Sequence, residues 1–401
     1  MALLPVADAL RLLLDGARPR ETETVPLADA AGRVLAEPLK ALRTQPPFDA
    51  SAMDGYAVRA ADVANVPVQL EIIGAAPAGR RFPGKVGPGQ AVRIFTGAPM
   101  PKGADTIVIQ ENTSSVGENG VEVTEAVAAG HHIRSKGLDF AEGDLLLERG
   151  RVLDAAALSL AASANHATLR VVKRPLVAII ATGDELAPPG SEPGPDQIIA
   201  SNALGVGAIV QSAGARVIDL GIAQDSKESI SALVRRAMDA QADVIVTLGG
   251  ASVGDHDLIH DVLTSEGVVL DFWKIAMRPG KPLMFGRLGA TRCLGLPGNP
   301  VAGLVCSHLF LKPLLAQLGG VPHQPDLRRA RLATALPAND TRQDYIRAVV
   351  KATPDGLIAA PFGIQDSSML KIFADANALI VREPFAAAAD VGASCDVLML
   401  R

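Results

Sequence analysis

The sequence predicts a multidomain α/β plus β protein. Its parts are a central, open, mostly parallel α/β domain, a small β domain, a discontinuous N-terminal helical/β region and a C-terminal β-barrel-like domain. The chain has 401 residues, which is more than one hydrophobic core usually fills. Residues 173–320 alternate apolar runs with amphipathic helical patterns, as in a parallel sheet covered by helices. Residues 46–139 and 321–401 instead carry short β-like runs separated by Gly and Pro.

The N-terminal region is expected to comprise residues 1–45 and 140–172. An amphipathic helix is predicted after Pro5, because charged residues interrupt the leucine-rich run and argue against a signal peptide. A second helix is predicted around residues 154–164, with Asp154 as its N-cap. Because helical texture returns there, we expect the two segments to form one discontinuous region.

The small β domain is expected to span residues 46–139, after the break at Pro46-Pro47. Its predicted strands are Val66–Ile73, Ala91–Phe95, Thr106–Gln110 and Gly120–Val123.

The α/β domain is expected to span residues 173–320. Its predicted strands are residues 176–181, 215–220, 244–248, 282–287 and 292–296. Its predicted helices are residues 202–211, 226–240, a segment containing Leu258 to Leu263, and 300–318.

Polar and glycine-rich segments follow four of these strands. In an open parallel sheet the carboxyl ends of the strands share one edge, where ligands bind. We therefore expect four loops to converge on one pocket. They are residues 182–185, 221–225, 249–257 and 296–299.

The last eighty or so residues are expected to form a small β-barrel or sandwich over residues 321–401. Hydrophobic alternation at Tyr345–Val350 and Leu379–Val381, with turns at residues 354–356 and 391–392, predicts its strands.

Charge and cysteine usage narrow the class of protein. The net charge of -5 argues against a nucleic-acid binder, which would need a basic face. The spacing of Cys293, Cys306 and Cys395 fits neither a zinc site nor a disulfide framework, so we expect a reducing, cytoplasmic location. The most apolar long stretch, residues 301–318, is broken by His308, Lys312 and Pro313, so we expect a soluble protein.

Six ordered segments carry a family resemblance. They are Ser51–Val58, Phe95–Ala98, Thr182–Leu186, Gly249–Asp257, Met277–Pro282 and Gly295–Val301. In this order they resemble the molybdopterin molybdenumtransferase family, known as MoeA in bacteria and as the E domain of gephyrin and its plant counterpart. The similarity spans nearly the whole chain, and six ordered motifs are far more specific than any one of them.

The resemblance implies an elongated homodimer of four-domain subunits that inserts molybdenum into molybdopterin. The substrates would be adenylyl-molybdopterin and molybdate, Mg²⁺ would be required, and AMP would be released. The α/β domain also resembles molybdopterin adenylyltransferases. Two alternatives therefore stay open: adenylylation of molybdopterin, and a non-catalytic molybdopterin-binding scaffold. Contacts with the adenylyltransferase and with recipient molybdoenzymes are expected.

Three carboxylates on the converging loops are the candidate catalytic Mg²⁺ ligands: Glu185, Asp225 and Asp257. Asp225 and Asp257 each precede a predicted helix, so both could instead be N-caps. Ser226 could cap in place of Asp225. Ser226 also stands where many family members have a second acid, which leaves the exact ligand set open.

Arg278 and Lys281 are the candidate oxyanion-binding cations, with Lys281 also counted as catalytic and Pro282 closing their segment. A solvated turn with two surface charges is the alternative. By resemblance, Arg347 and Ser368 would complete the anion site, although Ser367 is equally eligible.

A glycine-rich cradle for phosphate or pterin is predicted on the loops after residues 248 and 296. Its members are Gly249, Gly250 and Ser252, with Pro297 and Pro300 in the facing Pro297-Gly298-Asn299-Pro300 turn. These glycines also permit tight strand-to-helix turns. Ala251, where the family commonly has a bulkier aliphatic residue, is expected to affect packing beneath the loop.

Asp54, Thr96 and Asp139 are carried over from the resemblance as catalytic contributors from the second subunit. Without it, Asp54 is equally well interpreted as a turn residue before Gly55. His131-His132 is interpreted as a surface pair, Trp273 as a core residue, and Gly205-Val206-Gly207 as part of a helix.

Overall fold

The computed structural model describes residues 3–249, 258–321 and 323–401. The chain divides into two compact units. One comprises Met1–Glu23, Gly32–Val34 and Val171–Arg401, and the other comprises Thr24–Ala31 and Leu35–Arg170. The four predicted domain segments are finer than this division and remain a prediction.

Among its described residues, the chain up to residue 172 contains two α-helices and many short strands. The helices are α1 (Val6–Leu14) and α2 (Ala155–Ser163). The strands are β1 (Thr22–Pro26), β2 (Leu39–Lys40), β3 (Ala50–Ser51), β4 (Gly55–Val58), β5 (Val68–Ala76), β6 (Gln90–Ile94), β7 (Thr106–Ile109), β8 (Thr113–Val116), β9 (Gly120–Val123), β10 (Ile133–Arg134), β11 (Leu145–Leu147) and β12 (Thr168–Val172). The predicted helix after Pro5 is confirmed. So is the predicted N-cap of α2, because Asp154 accepts a hydrogen bond from the backbone N–H of Ala157.

A six-stranded sheet in the order β7-β4-β6-β5-β9-β8 organises the smaller unit. Successive side chains along each strand point to opposite faces of this sheet, and both faces carry buried residues. Ala57 and Ile107 pack in one buried cluster, whereas their neighbours Val58 and Val108 pack in another. Four of its strands match the predicted ones to within a few residues. β4 was not predicted, because it has only four residues and begins with glycine.

The α/β part of the larger unit contains nine strands and five helices among its described residues. The strands are β13 (Leu176–Thr182), β14 (Leu186–Ala187), β15 (Ile198–Ile199), β16 (Arg216–Ala223), β17 (Val244–Leu248), β18 (Val269–Lys274), β19 (Met277–Arg278), β20 (Pro282–Leu288) and β21 (Thr291–Leu296). The helices are α3 (Asn202–Ser212), α4 (Lys227–Asp239), α5 (Leu258–Ser265), α6 (Pro300–Cys306) and α7 (Lys312–Gly319).

The central sheet has the order β16-β13-β17-β21-β20-β18. Its first four strands are parallel, while β20 and β18 are added antiparallel, so the sheet is mixed. Buried side chains cover both faces. Val177 and Ile179 of β13 lie in the cluster that contains residues of α3, α6 and α7, whereas Ala178 and Ile180 lie in the cluster with residues of α4 and α5. This double burial explains why β13 is a continuous apolar run.

The predicted helix 300–318 is present but contains a π turn at Ser307–Leu311, between α6 and α7. Pro313 lies just after this turn and cannot donate a backbone hydrogen bond, which favours the local irregularity. Among the described helices, Pro300–Gly319 alone has the length and hydropathy of a membrane span, and 67% of that window is buried inside the protein. It therefore packs as a core helix.

The C-terminal strands close into a five-stranded barrel. They are β22 (Leu327–Leu332), β23 (Gln343–Thr353), β24 (Gly356–Pro361), β25 (Ala378–Arg382) and β26 (Ser394–Met399), and helix α8 is Leu370–Asp375. The order β23-β24-β22-β26-β25 returns to β23, which closes the barrel. Strand β19 pairs in parallel with β23, so the barrel directly adjoins the predicted anion-binding segment.

Candidate active site

The carboxyl ends of β13, β17 and β21 meet closely, as the strand pattern predicted. The N–H of Gly249 donates to the carbonyl oxygen of Leu296 at 3.3 Å. A Cβ on residue 249 would lie 2.7 Å from the carbonyl oxygen of Thr182, and its φ is +99°. Both facts require glycine there. The loops after these three strands therefore begin next to one another.

The loop after β16 joins this edge through a backbone-to-carboxylate hydrogen bond. The N–H of Asp225 donates to Oδ1 of Asp184 at 3.0 Å. Ser226 caps α4, accepting from the N–H of Ser229 at 3.2 Å. The alternative in which Asp225 is the N-cap is therefore wrong, and its carboxylate is not committed to the helix.

Asp184, Glu185 and Asp225 together form a negatively charged region at this edge. Partial burial raises the pKa of Asp225, and the carboxylates of Asp184 and Glu185 raise it further. Within the described residues, none of the three forms an ion pair with a basic side chain. Such a region favours a bound cation.

The donor set fits Mg²⁺ shared with a phosphate ligand. Mg²⁺ commonly takes one or two carboxylates, with the remaining positions filled by water and phosphate oxygens. Glu185 and Asp225 supply such oxygens from neighbouring loops. A group of three or more acidic, histidine or cysteine ligands is absent from the part of the chain that the structure describes. Asp257, the third predicted ligand, lies outside the described residues.

The two predicted oxyanion cations differ sharply in their surroundings. Arg278 donates from Nε to Oδ1 of Asp344 at 2.7 Å and from Nη2 to Oδ2 of the same carboxylate. Nη1 lies 3.4 Å from Asp340, and the Asp344 carboxylate raises the pKa of Arg278. Lys281 is exposed, and its carbonyl oxygen accepts from the N–H groups of Ile275 and Leu283, but its ammonium has no hydrogen-bond or ion-pair partner among the described residues. Lys281 is thus the cation available to a ligand.

The turn that carries Lys281 rests on a buried thiol. Gly280 has φ +111°, and a Cβ there would lie 2.5 Å from Sγ of Cys306. Burial alone raises the pKa of Cys306 above the ordinary thiol range, so it packs as a neutral thiol. The turn before Pro282 therefore packs directly on Cys306 at the end of α6.

The barrel contributes Ser367 to the Pro297–Pro300 turn. Nδ2 of Asn299 donates to Oγ of Ser367 at 2.9 Å, and the N–H of Val301 donates to the Ser367 carbonyl oxygen at 3.0 Å. Ser368 instead donates from its hydroxyl to Oδ1 of Asp366 at 2.6 Å. Of the two eligible serines, Ser367 is the one that contacts the predicted cradle.

Arg347 of β23 packs against the segment that contains Ser367, and it is only 2% exposed. Its Nη2 donates to the carbonyl oxygen of Asp366 at 3.1 Å, while its Nε is buried without a partner among the described residues. Burial lowers the pKa of Arg347. A buried, incompletely satisfied guanidinium supplies positive charge beside Ser367.

In the smaller unit, the structure brings Asp54 and Thr96 together. The backbone N–H and the hydroxyl of Thr96 donate to Oδ1 of Asp54 at 2.7 and 2.8 Å. These hydrogen bonds lower the pKa of Asp54. Asp139 is exposed and uses its backbone N–H to bind the carbonyl oxygen of Gln45. Asp54 is therefore more than a local turn residue.

Some of the predicted residues lie outside the described part of the chain, and others lie away from this edge of the sheet. Gly250, Ala251 and Ser252 are outside the described residues, like Asp257. Trp273 packs partly buried beside the α4 and α5 core and stacks on His260, with ring centroids 4.7 Å apart. The remaining motifs are unremarkable: Gly205 and Gly207 lie within α3, and His131 and His132 contact each other edge to face.

Sequence reasoning missed two contributors to this edge. Asp184 lies in the Thr182–Leu186 segment but was not predicted as a site residue, yet its carboxylate accepts a hydrogen bond from the Asp225 backbone. Asn202 at the start of α3 donates to the Gly298 carbonyl oxygen at 2.7 Å, and its position before an apolar helix gave no sign of this contact.

Three family models match consecutive parts of the chain. The MoeA N-terminal region (domain I and II) matches residues 4–165, a probable molybdopterin binding domain matches residues 178–317, and the MoeA C-terminal region (domain IV) matches residues 329–400. Together they confirm the resemblance that the six motifs indicated.

Curated relatives are similar over most of their length. The molybdopterin molybdenumtransferase of Nostoc sp. is 38% identical over 90% of this chain and 85% of its own. The corresponding enzyme of Bacillus subtilis is 36% identical over 99% of this chain and 94% of its own. A crystal structure of the molybdopterin biosynthesis MoeA protein from Pyrococcus horikosii has a TM-score of 0.84 at 30% identity and covers 100% of both chains.

Proposed function

We propose that this chain, which belongs to the molybdopterin molybdenumtransferase family, transfers molybdenum from molybdate to adenylyl-molybdopterin and releases AMP. The observation that carries the proposal is that an acidic loop pair and an exposed ammonium lie at the same edge of the central sheet, where β13 and β16 end and the antiparallel β20 begins. Asp225 and Glu185 supply the acidic side, and Lys281 supplies the cation.

The acidic side suits the phosphoanhydride of the substrate. Mg²⁺, when bound by Glu185 and Asp225, would neutralise the charge that develops on the phosphate oxygens as the anhydride is cleaved. Asp184 holds the Asp225 backbone, and so fixes the position of that carboxylate. Water enters across the P–O–P bond, which yields AMP and the phosphate of molybdopterin.

The cationic side suits molybdate, the second substrate. Lys281 offers three N–H donors to a tetrahedral oxyanion, and the buried charge of Arg347 lies beside Ser367. As two Mo–S bonds form, one molybdate oxygen leaves as water with the two thiol protons. Arg278 has no place in this scheme, because Asp344 occupies its guanidinium.

Further features of the proposal rest on the family. The protein acts as a cytoplasmic homodimer, and Asp54, Thr96 and Asp139 reach the site from the second subunit. Gly249, Pro297 and Pro300 line the cradle, and Asp257, Gly250 and Ser252 complete it. The molybdopterin adenylyltransferase supplies the substrate, and molybdoenzymes receive the product.

The test is AMP release from adenylyl-molybdopterin by purified protein with Mg²⁺, in the presence and absence of molybdate. Molybdate-dependent release supports the proposal. ATP consumption with free molybdopterin would identify an adenylyltransferase instead, and tight binding without release would identify a scaffold. Lys281→Met should need a higher molybdate concentration for the same AMP release, whereas the matched surface variant Lys351→Met should not.

A further inference from the structure

One arginine of the smaller unit makes an unusual set of contacts. The guanidinium carbon of Arg93 lies 5.0 Å from the ring centroid of Tyr56 and 5.2 Å from that of Phe95. Nη2 donates to Oε1 of Gln110 at 2.5 Å, and Nη1 donates to the carbonyl oxygen of Gly55 at 3.4 Å. Two aromatic rings and two acceptors together hold the guanidinium in place.

All four residues that Arg93 contacts are connected to Asp54, either along the chain or through a hydrogen bond. Gly55 follows Asp54 directly, and Tyr56 follows Gly55 on β4. Gln110 donates its own backbone N–H to the Asp54 carbonyl oxygen at 3.1 Å. Phe95 immediately precedes Thr96, whose N–H and hydroxyl bind the Asp54 carboxylate. Arg93 therefore links β4, which follows Asp54, to Gln110 and to the Phe95-Thr96 segment, both of which hydrogen-bond Asp54.

The charge of Arg93 acts in the same direction as these contacts. Thr96 accounts for most of the lowering of the pKa of Asp54, and the positive charge of Arg93 adds to it. Only Oδ1 of Asp54 accepts hydrogen bonds from described residues. The second carboxylate oxygen remains available for a cation or a substrate donor.

We propose that Arg93 is a positioning residue that holds the ionised Asp54 carboxylate in its working orientation. This inference rests on the proposed function, in which Asp54 contributes to catalysis. Arg93 does not need to touch the substrate. Its stacked, forked guanidinium cannot be replaced by a lysine, because an ammonium offers neither the planar stacking nor two fixed donors.

A double-mutant cycle tests this role. Arg93→Met should lower kcat for AMP release by about 10-fold or more in the wild-type background, as misplacement of a catalytic group does. In the Asp54→Asn background the same change should cost about 2-fold or less, because the group that Arg93 positions is already disabled. Arg93→Lys should also lower kcat, and the control Arg59→Met should not.

A second measurement does not depend on turnover. NMR titration of ¹³C-labelled aspartate carboxyls, with Asp54→Asn to assign the signal, should show a higher Asp54 pKa in Arg93→Met than in the wild type. Arg93→Lys keeps the charge and should show a smaller rise. An unchanged Asp54 pKa, or equal losses of kcat in both backgrounds, would overturn the inference. If the wild type releases no AMP, the proposed function fails, and the titration still decides whether Arg93 acts on Asp54.

Discussion

The backbone N–H of Asp225 donates a 3.0 Å hydrogen bond to the Asp184 carboxylate, which joins the loops that follow β13 and β16. Burial raises the pKa of Asp225, and the negative charges of Asp184 and Glu185 raise it further, while the hydrogen bond itself acts in the opposite direction. A bound divalent cation would relieve the repulsion among the three carboxylates. The hydrogen bond is thus both a structural link and part of the electrostatics of the site.

We expect Asp225→Asn to raise the Mg²⁺ concentration needed for half-maximal AMP release by about 10-fold or more, since a ligand oxygen and its charge are lost together. Protons compete with the cation for the raised-pKa carboxylate, so the Mg²⁺ requirement of the wild type should rise as the pH falls. Asp239→Asn, on the exposed end of α4, is the control. An unaltered Mg²⁺ requirement in Asp225→Asn would remove this residue from the metal site.

Arg278 and Lys281 should separate stability from substrate binding. Arg278→Met leaves the 8% exposed Asp344 without its partner and should reduce the free energy of unfolding by about 1–2 kcal/mol. This is less than for a fully buried pair, because the Arg278 side chain is 47% exposed. Lys281→Met should change the free energy of unfolding by less than about 0.5 kcal/mol.

In turnover the order should reverse, with Lys281→Met raising the KM for molybdate about 10-fold or more through loss of a charge-assisted contact. Denaturant unfolding and molybdate titration of both variants check the pair of expectations. A stable Arg278→Met protein with weakened molybdate binding would instead restore Arg278 as an anion ligand.

The adjacent serines allow a sharper comparison. Ser367→Ala removes the acceptor for Asn299 and should disturb the Pro297–Pro300 turn, raising the KM for adenylyl-molybdopterin several-fold. Ser368→Ala removes only a hydroxyl bound to Asp366 within its own segment and should change KM by less than about 2-fold. Steady-state AMP release measures both. The opposite order of effects would show that Ser368 carries the contact to the substrate.

The sequence predicted this edge of the central sheet well, because continuous apolar strands ended in glycine and polar residues at four places. Such patterns depend on local burial and strand direction. The partners across the edge depend instead on pairings that the pattern does not encode. Asp344, the partner of Arg278, lies 66 residues later and is reached only because β19 pairs with β23. Likewise, Ser367 and Ser368 differ by one position, and adjacent side chains point in different directions.

The Asp54–Thr96 pair predicts a pH-dependent contribution to stability. The folded-state pKa of Asp54 lies below its ordinary value of 3.8, so the ionised form is the one that folding favours. Its contribution is fully present above that ordinary value and is lost as the pH falls through the lowered folded-state pKa.

Thr96→Val removes the hydroxyl donor and keeps the shape of the side chain, so the Asp54 pKa should rise toward 3.8. The Tm difference between wild type and Thr96→Val should therefore be largest near neutral pH and shrink below about pH 4. Thermal unfolding from pH 3 to 7 measures it, with Thr113→Val, whose hydroxyl binds only a backbone carbonyl, as the control. A Tm difference that is the same at every pH would mean that Thr96 stabilises the unit by packing and not through the charge of Asp54.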